Sequence, residues 1–274
     1  MLEFFSTADV GTAAACFEGH SIVVPAVSFA NVGQLALDLL VNTLLAAGST
    51  LAEAQLVGHL VSENVPPIAG GAAFTTQARS ALCLNLQVYQ IASHKITIIQ
   101  QRAAAFPGRA QAFAQELVEW AASNNVASLC VVGGTDDMLR HDPNMLSRPI
   151  RVIHSGASAE LVNPTFIERF AALSTSDAQS DVPSDVWESM RGAGLAPLLY
   201  SECVAAKLPF VALVMACAEG DNVPDAVAMA SHVASYLQLG PSPAPDARLP
   251  RLPFVFPPSW SQLFGRGPDV ALYL

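Results

Sequence analysis

Two hydrophobic periods alternate along the chain. Continuous aliphatic runs at Ile22–Val24, Val126–Val132 and Phe210–Cys217 read as short strands buried on both faces. Pro25 has no N–H for a ladder and is placed at a strand end or bulge. Ala54–Leu60 and Ile150–His154 are further strands. Ala81–Gln90 and His94–Gln101 read as an antiparallel pair with a turn near Ala92–Ser93. In the first of these, Leu82, Leu84, Leu86 and Val88 point to one face. Helical spacing predicts helices over Asn31–Ala47, Gly108–Asn124, Pro164–Leu173 and Val223–Leu239, and a short one near Ser259–Phe264.

The first helix is unusually apolar. Asn31 is its expected N-cap, Gln34 reaches back in a capping box, and Gly48 ends it. Gln34, Asp38 and Asn42 form one narrow polar stripe, and nearly every other position is apolar. A helix on a sheet needs one apolar face, so this one must be covered by other elements or by another chain.

Polar and glycine-rich stretches supply the boundaries. Val61–Arg79 and Ser174–Asp185 read as loops, Gly133–Gly134 as the close of a strand, and Gly240–Pro258, with seven prolines, as an extended linker. Strands alternating with helices imply an α/β fold: a mostly parallel central sheet covered on both faces, with an antiparallel pair inserted. The domain organisation expected is one α/β domain over 1–239, followed by a linker, short helix and tail over 240–274.

Composition narrows the function. The chain has 274 residues, is 52% hydrophobic and carries a formal net charge of −10. That acidity argues against a nucleic-acid role and against anionic membranes. No apolar run reaches the roughly 20 residues of a membrane span. The five cysteines form no CxxC pair and read as buried free thiols in a reducing compartment. The expected location is the cytoplasm or nucleus.

Candidate chemistry is sparse. Glu219, Gly220, Asp221, Asn222, Pro224 and Asp225 follow the end of a buried strand, where α/β proteins often bind ligands. A hard cation is conceivable there, but a helix start is the simpler reading: Asn222 caps, Pro224 opens the first turn, and Asp225 completes a capping-box-like set. Arg191–Gly194 lacks a full GxGxxG and reads as a turn. His154 and Ser155 lack the GxSxG of a nucleophile elbow. The six histidines are scattered. Trp260 and Phe264 share one helix face and dock onto the core, with a partner-binding anchor as the alternative.

Three stretches resemble the proteasome assembly chaperone 2 family: PAVSFANVGQLALDLL from Pro25, AEGDNVPDAVAMASHVASYL from Ala218 and PPSWSQLFGRGPDVALYL from Pro257. They come in the family's order and spacing and carry Asn31, Gly33, Gln34 and the 219–225 residues. The middle, roughly Ser49 to Arg191, matches mainly in its element pattern. The resemblance implies a three-layer, nucleoside phosphorylase-like fold without catalysis, cofactor or metal. It implies a heterodimer with a proteasome assembly chaperone 1-like partner, which promotes α-ring formation and blocks off-pathway α-ring association. Leu272, Tyr273 and Leu274 resemble the hydrophobic–tyrosine–any-residue (HbYX-like) motif that docks between proteasome α-subunits. The rival class is a small-molecule enzyme of the same fold, which needs convergent acid, base and phosphate-binding residues in one cleft.

Overall fold

The computed structural model describes residues 1–7, 15–46, 53–138, 150–155, 179–180, 184–239 and 252–262. Its strands are β1 (Glu3–Ser6), β2 (Ser21–Pro25), β3 (Gln55–Val61), β4 (Ala69–Gly71), β5 (Leu82–Leu84), β6 (Gln87–Ile91), β7 (Ile96–Gln100), β8 (Ser128–Asp136), β9 (Ile150–His154), β10 (Gln179–Ser180) and β11 (Phe210–Cys217). The helices are α1 (Val32–Ala46), α2 (Ala110–Ser123), α3 (Ser184–Glu188), α4 (Ala196–Ala206) and α5 (Val223–Tyr236).

Among the described residues nine strands form one sheet in the order β1-β3-β6-β7-β2-β8-β11-β9-β10. The centre, β7-β2-β8-β11, is parallel, and β1, β3 and β6 extend it antiparallel. β9 joins β11 antiparallel, opposite to β8. The period of two sends alternate side chains to opposite faces. Val23, Cys130, Val132, Val211 and Leu213 meet α1 and α5 on one face. Ile22, Val24, Leu129, Val131, Phe210 and Ala212 meet α2 and α4 on the other. Both faces are therefore covered, and the central strands read as continuous apolar runs. Pro25 ends β2 as expected, and the next N–H, of Ala26, donates to Val132 O at 2.8 Å.

Several expectations change. The apolar excess of α1 is covered by its own chain: Val32, Leu37, Leu39, Leu40, Val41 and Leu44 are buried against the sheet, α5, Phe74 and the C-terminal residues Leu252, Phe254 and Trp260. Phe29–Ala46 has the apolarity of a membrane span, with mean hydropathy 1.4. Of that stretch 67% is buried within the fold, so its apolarity is met by the chain's own core. Residues 81–90 are not one alternating strand. Leu86, at φ 59°, breaks the run, so β5 pairs with β4 in a separate ribbon and Leu82 is exposed. The stretch Val61–Arg79 thus contains β4, and its Val65 and Phe74 are buried.

Gly133 and Gly134 lie inside β8 rather than closing it. A Cβ at Gly133 would sit 2.8 Å from Ser28 Oγ, and one at Gly134 2.6 Å from Phe29 O. They are glycine because the chain leaving β2 passes close over both, with the side chains of Ser28 and Ala26 at Gly133 and the backbone of Phe29 at Gly134. Gly48, the expected helix at Pro164–Leu173 and the linker over 240–251 lie outside the described residues, as does most of Ser174–Asp185. Within that last stretch, Gln179–Ser180 pairs with β9 at the sheet's far edge.

Candidate functional site

The chain leaves the carboxyl ends of β2, β8 and β11 at one edge of the parallel sheet, where open α/β sheets place ligand clefts. The exit from β2 is unusual. Val27, Ala30 and Asn31 have φ of 47°, 57° and 53° in a segment with no glycine. Such positions persist only where the surroundings over-determine them. Here Ser28 Oγ accepts the Gly134 N–H at 2.7 Å. Phe29 N–H donates to Gly192 O at 2.8 Å, and Leu195 N–H to Ala26 O at 2.7 Å. The Arg191–Gly194 stretch is a turn, and its glycines serve the protein's own backbone. Gly194, at φ 61°, lies where a Cβ would be 2.3 Å from Ala26 O.

Asn31 is not the expected cap. It ends a 3-10 turn, Phe29–Asn31, in the left-handed region. Gln34 Oε1 is buried and accepts no hydrogen bond, so the expected capping box does not close through it. Gly33 has a packing role. A Cβ there would lie 2.1 Å from Val132 O, so glycine lets α1 sit directly on β8.

The opposite wall follows β11. Asn222 stands at the N-cap position of α5, but its side chain makes no cap bond. Its Nδ2 donates to Ala218 O at 2.8 Å and to Asp225 Oδ2 at 3.1 Å, while Asp221 Oδ1 accepts the Val223 N–H at 3.0 Å. The cap is therefore carried one residue earlier. Asn222 instead uses its donors to staple the loop to the helix's first turn.

These two walls, distant in sequence, enclose a cleft of about 400 Å³ lined by Ala30, Asn31, Leu35, Glu219, Gly220, Asn222 and Val223. Glu219 and Asp221 are exposed at its rim. Among the described residues no basic or histidine side chain lines it. Among the described residues no three His, Cys, Asp or Glu side chains converge on a point. The Ser155 hydroxyl, beside His154, accepts the Phe210 N–H at 3.1 Å and is tied into the sheet. The cleft offers shape, apolar contact and negative charge.

Trp260 lies in a 3-10 helix, Pro258–Gln262, packs against the core and meets Phe256 edge-on at 5.7 Å. Phe264, Leu272, Tyr273 and Leu274 lie outside the described residues. The polar stripe of α1 carries more than its spacing told. Asp38 pairs with Arg102, Gln100 donates to both Asp38 and Gln34 O, and Asn42 bridges two distant segments. The four-residue recurrence was the available signal; the partners, far along the chain, were not in it.

The PAC2 family matches residues 22–247. Bovine proteasome assembly chaperone 2 is 27% identical over 263 residues, which cover 93% of this chain and 95% of that protein. The human protein of the same name is 26% identical over 271 residues, covering 96% and 98%. Among solved structures, Pyrococcus furiosus PbaA, described as an archaeal homologue of proteasome-assembly chaperone, superposes with a TM-score of 0.59 at 14% identity. That match covers 88% of this chain and 83% of PbaA.

Proposed function

The chain belongs to the PAC2 family, and from that membership we propose that it is a chaperone for assembly of the proteasome core particle. The observation that carries the reading is the near end-to-end match to proteins named proteasome assembly chaperone 2. Two of the three sequence stretches that bear the resemblance, those from Pro25 and Ala218, also form the two walls of one cleft.

In this reading the protein works by contact and not by catalysis. Among the described residues the cleft's polar groups are tied to backbone or exposed to solvent, and none is aimed at a common point as acid and base. The protein pairs with a partner resembling proteasome assembly chaperone 1, and the pair holds α-subunits while the ring closes. Leu272, Tyr273 and Leu274 form the docking segment. The Leu274 carboxylate suits a lysine between subunits, Tyr273 brings a flat apolar body and one hydroxyl, and Leu272 adds apolar burial. It acts in the cytoplasm and nucleus and needs no cofactor.

Affinity purification of the full chain from its own cells, with mass spectrometry of what accompanies it, tests the reading. A similar-fold partner and proteasome α-subunits are expected in stoichiometric amounts. Recovery of the chain without α-subunits, under conditions that keep assembly intermediates intact, would overturn it.

A further inference from the structure

The segment after the proline-rich stretch does not run loose over the surface. Residues 252–257 have no regular secondary structure, yet they are held to α1 by side chains that act as a strand would. Asn42 Nδ2 donates to Val255 O at 2.7 Å, and the Val255 N–H donates to Thr43 Oγ1 at 3.0 Å. Both backbone groups of one residue are therefore satisfied by two neighbouring helix side chains. Asn42 is fully buried and Thr43 1% exposed. The other end of the Asn42 amide accepts the Thr75 N–H at 2.7 Å. Thr43 Oγ1 in turn donates to Leu39 O at 2.7 Å. The contact continues along the strap. Leu252 is buried, Phe254 and Trp260 pack on the core beside α1, and Ser259 Oγ donates to Ala73 O at 3.1 Å.

A buried asparagine weakens the packing unless its polar atoms are used. Here its oxygen and its nitrogen are both used, and both on chain far from α1. For burial alone leucine would serve. Asn42 is what makes the seat specific for one register of the strap, because only Val255 presents its N–H and C=O to the Thr43–Asn42 pair.

We propose that Asn42 and Thr43 are positioning residues for the docking segment: they fix the register of the 252–262 strap and so set the point from which residues 272–274 reach a proteasome α-ring. The inference rests on the docking reading given above. Its geometric consequence is a defined radius. Residues 263–274 follow the strap, and 12 residues span at most about 40 Å. A released strap frees a further ten or so residues. The end group is then diluted over a larger volume, and its effective concentration at the ring falls.

The test uses the full-length chain with purified proteasome core particles as the probe. Thr43→Val keeps the shape and removes the hydroxyl, Asn42→Leu keeps the branched skeleton and removes the amide, and Thr43→Ser restores the hydroxyl. Each is made with and without residues 272–274. Hydrogen exchange at the Val255 amide reports the strap, and core-particle affinity reports docking. Thr43→Val and Asn42→Leu are expected to speed Val255 exchange at least tenfold and weaken binding at least threefold. Thr43→Ser is expected to behave as the parent, and the binding loss to vanish in the shortened chains. Should Asn42→Leu fail to fold, Thr43→Val and Thr43→Ser decide the matter. If removing 272–274 weakens binding but the strap variants do not, the positioning role is wrong and docking stands. If removing 272–274 changes nothing, the docking reading fails and the positioning role with it.

Discussion

Arg102 grips Asp38 with two nitrogens, Nη2 to Oδ1 at 3.0 Å and Nη1 to Oδ2 at 3.1 Å, under a surface that leaves their side chains 20% and 10% exposed. Gln100 Nε2 adds a third donor to Asp38 Oδ1 at 2.8 Å, and the guanidinium lies 5.6 Å from the centre of the Phe74 ring. Removing one partner of such a pair strands the other charge. Asp38→Ala is expected to cost about 3–5 kcal/mol, and Asp38→Leu with Arg102→Met to recover most of it. Urea unfolding measures both. A loss below about 1 kcal/mol in the single variant would show that solvent already screens the pair.

Gly33 gives a second test. With the hypothetical Cβ 2.1 Å from a backbone oxygen of β8, α1 can accept alanine only by lifting off the sheet. Gly33→Ala should cost about 3 kcal/mol or more, at the upper end for overpacking, despite alanine's better helix propensity. A stabilised variant in thermal unfolding would disprove the close approach.

At the start of α5 the order of the two neighbours is diagnostic. Asp221→Ala removes the oxygen on the Val223 N–H and should cost about 0.5–2 kcal/mol, as an N-cap does. Asn222→Asp replaces a donor with a second carboxylate beside Asp225 and should cost more than Asn222→Ala. Equal losses from Asn222→Asp and Asn222→Ala would refute the donor role of that amide.

Burial pushes the His232 imidazole down to about 4 from an ordinary value of 6.5. The unfolded chain takes up this proton near pH 6.5, while the folded chain refuses it until about pH 4. Stability from this group is complete above pH 6.5 and is lost as pH falls towards 4, by up to about 3 kcal/mol. Comparing unfolding free energies at pH 7 and pH 4.5 for the parent and His232→Gln isolates the contribution. The variant should lose less stability between the two pH values.

The thiols should separate cleanly. Cys16 is exposed and Cys83, Cys130, Cys203 and Cys217 are buried. Burial pushes Cys203 and Cys217 up to about 12, the latter with help from Asp225. Iodoacetamide at pH 8 should label Cys16 alone in the native protein and all five residues in urea. Peptide mass spectrometry reads this directly, and rapid labelling at Cys217 in the native protein would contradict its burial.

The parts of the fold that depend on local pattern were legible. The two-sided burial of β2, β8 and β11 follows from their aliphatic runs, and the helix α2 from helical spacing. What depended on remote partners was not. Nothing near Gly133 tells that Ser28 passes over it. Nothing near Leu86 tells that φ 59° splits a well-alternating stretch in two. The candidate cleft was half visible: its acidic wall was singled out and Asn31 was named. That the two face each other is a matter of sheet order, because β2 and β11 both flank β8. The capping error at Asn222 was one of a single residue, since aspartate and asparagine compete for the same N–H and either sequence position suits it.

The cover over α1 also sets a timetable. Its outer surface is closed by α5 and the strap, which begin at Val223. On a ribosome emitting about 5–20 residues per second, α1 emerges roughly 10–40 s before α5 is complete. Through that interval a helix with one narrow polar stripe lacks the cover it has in the finished fold. A chaperone of proteasome assembly is thus itself in need of a chaperone during its own synthesis, and holdase capacity near the ribosome should limit its yield more than its final stability does.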